Sequence, residues 1–188
     1  MNKKIGFGVM VSLMFLSLLT SCNKSEYTKL VQSELQKGRQ DSLFLGMHFG
    51  MSRKEFMDHC MSLNHQHLTT VGLRGLSVLY KIPDSTGTIF MNFFPEFSND
   101  TIYEMRTTFT YENWEAWNRK TQPDSLQNKV IRMFDKWYGP GFIKIVKDDR
   151  DTAHVKVTGN RRIVIFTEGE MDVRAIITDL IKENELKK

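Results

Sequence analysis

Tyr103-Glu104-Met105-Arg106-Thr107-Thr108-Phe109-Thr110-Tyr111 decides the fold class. Tyr103, Met105, Phe109 and Tyr111 fall on one side of a two-residue period, and Glu104, Arg106, Thr108 and Thr110 fall on the other. Such alternation describes a strand with one face toward a core and one toward water, the habit of antiparallel sheets. Upstream, residues 88–94 are apolar on both faces and read as a central strand. Leu76, Val78, Tyr80 and Ile82 alternate as a further strand. Pro83-Asp84-Ser85-Thr86-Gly87 and Ser98-Asn99-Asp100 supply the turns between these runs. Downstream, residues 142–146, 153–157 and 161–166 are strand-like, with 147–152 and Thr158-Gly159-Asn160 as turns.

Two helices frame these runs. Ser52 and Glu55 form an S-x-x-E capping box, and Met51 and Phe56 hold the positions of a hydrophobic staple. Phe56, Met57, Cys60 and Leu63 then fall on one face, which predicts a helix over 52–64 with that face buried. The second helix begins at Pro123, a residue suited to a first helical position. Its face is Leu126, Val130, Met133, Phe134 and Trp137, and Gly139-Pro140 ends it. Residues 172–178 carry two patterns: a helical face of Val173, Ile176, Ile177, Leu180 and Ile181, and a β-branched density after the Thr167-Glu168-Gly169-Glu170 turn. The strand is preferred, followed by a short terminal helix. The expected domain, residues 42–188, is therefore α+β, an antiparallel sheet with its helices packed on one face. Its order is roughly α-βββ-α-βββ, with a fourth final strand over 172–178. The same order admits two α-β-β-β halves, 42–111 and 112–188, although no close repeat in the letters supports a duplication.

The chain has 188 residues and a formal charge of +4. Lys3 and Lys4 open it, and residues 5–19 carry no charge. That run of 15 is short of the roughly 20 residues a membrane-spanning helix needs. A basic start, a short apolar run and small residues at its end form a secretion signal over 1–21. Its removal leaves 167 of the 188 residues and takes two lysines, so the charge falls from +4 to +2. Those charges are interleaved and form no basic stripe, so nucleic acid is not an expected partner. Aromatic residues make up 11% of the chain, a globular composition rather than a disordered one.

Leu19-Thr20-Ser21-Cys22 resembles the lipobox of bacterial lipoproteins. The resemblance implies that Cys22 receives diacylglycerol, that cleavage precedes it, and that the new amine is acylated. Two or three acyl chains satisfy the requirement for stable anchoring. Membrane attachment is then a property of the lipid on Cys22. Asn23 in place of an aspartate favours the outer membrane, by the same resemblance. Residues 22–41 become a lipidated N-terminus and flexible tether, with Tyr27, Leu30, Val31 and Leu35 at helical spacing inside it. Fully extended, residues 23–41 would reach about 60 Å. With Cys22 lipidated, Cys60 has no disulfide partner and is expected to lie buried beneath the helix begun by Ser52.

Phe49-Gly50-Met51-Ser52-Arg53-Lys54-Glu55-Phe56 and Lys136-Trp137-Tyr138-Gly139-Pro140 look like small lipoproteins of Bacteroidetes-type bacteria. More distantly, Gly50-Met51-Ser52 opening a helix and Tyr138-Gly139-Pro140 closing one are similar to the SmpA/OmlA assembly lipoproteins and the β-lactamase-inhibitor-protein fold. Those are non-enzymatic α+β modules that act by binding other proteins. The resemblance implies such a role here, and among functional residues it carries over only Cys22.

Site chemistry is sparse. His59, Cys60, His65 and His67 are the one combination that could suit zinc. Cys60 sits on the buried face and His65 and His67 in the loop beyond the helix, so no metal and no cofactor are expected. Asp148-Asp149-Arg150-Asp151 lacks the alternation and closing glutamate of a calcium loop and reads as a hairpin turn. Tyr111, Trp114 and Trp117 are the candidate binding surface, with core packing as the competing and preferred reading. No nucleophile elbow or phosphate loop occurs. The expectation is a lipid-anchored, non-catalytic envelope protein that binds or assembles with another protein. The alternatives are an envelope inhibitor or immunity protein against a toxin or hydrolase, and then a small metal-binding hydrolase.

Overall fold

The computed structural model describes residues 26–188 except 73, 74, 76, 149 and 150, and only the backbone of 147, 148 and 151. The signal, Cys22, Leu76 and the tip of the turn at 149 and 150 lie outside the described residues. Residues 34–188 form one compact unit, separate from the residues before them. The boundary falls inside the first described helix, α1 (Glu26–Leu35).

After α1 come α2 (Arg53–His65), the strands β1 (Thr69–Val71), β2 (Val78–Asp84), β3 (Gly87–Ser98) and β4 (Thr101–Tyr111), and then α3 (Pro123–Tyr138). The rest is β5 (Ile143–Asp148), β6 (Asp151–Thr158), β7 (Arg161–Glu168), β8 (Asp172–Asp179) and a terminal helix α4 (Leu180–Leu186). All eight strands form one antiparallel sheet in the order β1-β2-β3-β4-β8-β7-β6-β5. The α+β class is as the alternation implied, and residues 172–178 are strand. β1 is an addition to the expected strands. At three residues it is too short to carry a period of its own.

The sheet consists of two four-stranded meanders, β1–β4 and β5–β8, whose last strands pair with each other. Register aligns the core in rows across that seam. Met91, Phe109 and Val173 are neighbours in one row; Phe93, Thr107, Ala175 and Ile165 form the next. Thr107 is buried here, and its hydroxyl donates to the Ala175 carbonyl at 2.8 Å. α3 covers this face with Leu126, Val130 and Phe134, all buried. Phe134 meets Phe109 edge-on, with centroids 6.0 Å apart.

α2 does not share that face. Its buried Phe56 lies 5.8 Å from Phe94 and 6.0 Å from Phe97. Phe94 follows Phe93 directly in β3, and neighbours in a strand point to opposite faces. The expectation that the helices pack on one face is therefore corrected. Phe93 faces the α3 side, where Phe44 meets it at 5.0 Å, and Phe94 supplies an apolar footing on the other side.

The tether is corrected in part. Residues 34–41 are held to the sheet end instead of being free. Gln40 N–H donates to Asn160 Oδ1 at 2.6 Å, Asn160 Nδ2 donates to Asp41 Oδ1 at 3.1 Å, and Arg39 pairs with Asp179 at 2.9 Å. Gly159, at φ +58°, lies so close to the Gly38 carbonyl that a Cβ would collide with it. Among the described residues no helix is long and apolar enough to cross a membrane.

Candidate binding groove

α2 starts as its sequence dictates. Glu55 N–H donates to Ser52 Oγ at 3.2 Å, while the Ser52 N–H donates to the Glu55 carboxylate at 2.8 Å. Met51 and Phe56 are both buried, completing the staple. At the far end the chain reverses through His67, whose φ is +58°. Leu68 N–H then returns to the Leu63 carbonyl at 3.0 Å. Asn64 Nδ2 donates to the Thr69 carbonyl at 3.0 Å and sets β1 beside the helix.

Between α2, β1 and the Phe94 face runs an apolar groove of about 510 Å³. Phe56 and Phe94 line it, with Met57, Cys60, Met61 and Val71. Met57 is 42% exposed, Met61 56% and Val71 70%. Thr69 is buried at the groove wall, its hydroxyl without a hydrogen-bond partner among the described residues. β1 is the sheet edge, yet the carbonyls of Thr69 and Val71 already accept from Asn64 Nδ2 and Thr70 Oγ1. These two carbonyls are thus less available to an added strand.

The sequence-derived candidates fall apart spatially. Tyr111 is buried, and its hydroxyl donates to Asp84 Oδ2 at 3.2 Å. Trp114 is partly buried against the core, with Nε1 buried and unpartnered among the described residues. Trp117 is 82% exposed. Trp114 lines a polar hollow of about 680 Å³ with Arg119, Asp124 and Glu170, and Trp117 is outside its lining. The three do not make one surface.

His59 Nε2 is engaged with the Leu45 carbonyl at 2.7 Å. His65 is the last residue of α2 rather than part of the following loop. Among the described residues no three histidine, cysteine, aspartate or glutamate side chains gather to hold a metal. Cys60 is half-buried rather than buried, and burial pushes its thiol up to about 11. Met57, expected inside, stands partly in solvent. Met57 and Met61 are four residues apart, a spacing that places them on one helical stripe; only the path of β1 shows that the stripe borders a groove.

Fold and groove together define an antiparallel α+β protein with an exposed apolar cleft at one sheet edge. No family model matches the chain, and no curated protein or solved structure matches it.

Proposed function

We propose that this chain is a lipid-anchored, non-catalytic protein of the cell envelope, held in the outer membrane through Cys22, that docks another envelope protein in the groove of α2 and β1. The lipobox supports the location. The groove carries the binding role, because contiguous exposed apolar side chains mark interaction sites. Met57, Met61 and Val71 line it and stand exposed, and thioether side chains adapt readily to a partner's shape. The satisfied carbonyls of β1 argue against strand addition. The fitting occupant is the apolar face of a partner's amphipathic helix.

The test is photo-cross-linking in cells, with the reactive group at position 61, 71 or, as a control, 117. One defined adduct from 61 and 71, absent from 117 and abolished by Met57→Asp, is expected. No adduct at 61 and 71, or the same adduct at 117, overturns the docking site. Cys22→Ala should release the chain from the membrane fraction; unchanged membrane association overturns the anchor.

A further inference from the structure

The groove also collects a chemistry that apolar docking does not need. Met57, Cys60 and Met61 occupy positions i, i+3 and i+4 of α2, and all three line the same cleft. On a helix such residues are surface neighbours, with Cβ atoms about 5–6 Å apart. Methionine has three rotatable bonds beyond its backbone, so two thioethers and one thiol on this stripe can converge on one point. We propose that Met57, Cys60 and Met61 form a binding site for copper(I), with the His65 imidazole as a further donor. His65 lines the groove one turn beyond Met61.

Three observations select this ion. Thiolate and thioether donors are soft and prefer copper(I) to magnesium, calcium or manganese. Zinc would require a nitrogen, oxygen or thiolate set, and no three such side chains gather among the described residues. Charge gives the same answer: one thiolate neutralises a monovalent ion, whereas a divalent ion would retain a positive charge beside Phe56 and Phe94, where it is poorly solvated. His59, next to Cys60 in the chain, has its Nε2 committed to the Leu45 carbonyl. The exposed Met57 and Met61 give the ion a route in from solvent, and the aromatic floor keeps water from its inner side. On binding, the Cys60 S–H bond breaks, a copper–sulfur bond forms and the proton leaves to water. Copper keeps its oxidation state.

The proposal is independent of the docking reading, since a partner needs apolar area and the ion needs sulfur. The full lipidated chain in detergent, its Cys22 thiol consumed by the lipid, is titrated without oxygen against copper(I) held by a chromophoric chelator. One equivalent should be withdrawn, with a sulfur-dominated X-ray absorption spectrum. Cys60→Ser should abolish withdrawal. The double variant Met57→Leu with Met61→Leu should weaken it at least tenfold, with the circular dichroism of both variants unchanged. No withdrawal by the native chain, or native-like withdrawal by either variant, overturns the site. The leucine variant keeps the groove apolar, so its cross-link at position 71 should persist. In the native chain, no copper withdrawal with the cross-link intact counts against the metal alone; no cross-link with copper withdrawn counts against docking alone.

Discussion

Asp84 shows how one side chain ties separate elements together. It ends β2, and its carboxylate accepts from Lys129 Nζ on α3, from Thr86 N–H at 2.9 Å and from the Tyr111 hydroxyl at 3.2 Å. Burial by itself would raise its pKa, but these hydrogen bonds, that of Lys129 foremost, hold it below the ordinary 3.8. A carboxylate with a lowered native pKa stabilises the fold fully above its unfolded value. That contribution disappears as pH falls through the native value. Asp84→Asn should therefore cost about 1 kcal/mol near neutrality, the worth of one partly buried charged hydrogen bond. Thermal melts should show the gap between native chain and variant closing as pH drops below 3.8. At this scale the sequence was least legible. Pro83-Asp84-Ser85-Thr86-Gly87 reads as a turn, but nothing in it reveals a lysine 45 residues away. Tyr111, Trp114 and Trp117 likewise share spacing in the chain and not surroundings in the fold.

At the scale of elements, local signals held and long-range ones were invisible. The capping box of α2, the Pro123 start of α3 and its Gly139 stop all lie within a few residues of the bonds they make. The end of α3 has a second support that no local pattern shows. Lys156, buried in β6, directs its ammonium to the carbonyls of Tyr138 and Pro140, each at 2.8 Å, and to that of Gly139. Burial lowers its pKa, yet the negative end of the helix dipole and three acceptors hold the charge in place. Lys156→Met keeps the stem and removes the donor, leaving carbonyls unsatisfied. The expected loss is about 2–3 kcal/mol in urea denaturation, with faster amide exchange confined first to the last turn of α3. Residues 34–41 follow the same rule. Their composition is that of a tether, and what holds them is Arg39 to Asp179, a contact across 140 positions.

For the whole molecule, the seam between β4 and β8 decides whether the two meanders are separate halves or one body. Glu104 to Phe109 pairs with Thr178 to Val173, and Phe109 stands fully buried there under Phe134. Phe109→Ala should destabilise by about 3–5 kcal/mol. Circular dichroism and tryptophan fluorescence should still report one coincident transition, since Trp137 packs on Phe134, 5.4 Å between centroids, on the same core face. Two separated transitions would show that the meanders unfold independently. The sequence by itself determined the longer strands and helices, though not the three-residue β1, because a period of two or 3.6 residues, a cap or a turn residue acts within a few positions of itself. Only the tertiary structure decided which face each helix covers, that β4 meets β8, that residues 34–41 are held, and that Met57, Cys60, Met61 and Val71 share one groove. Those outcomes depend on register and on packing between residues far apart in the chain. Alternation states that a strand has two faces and leaves open what will cover each of them.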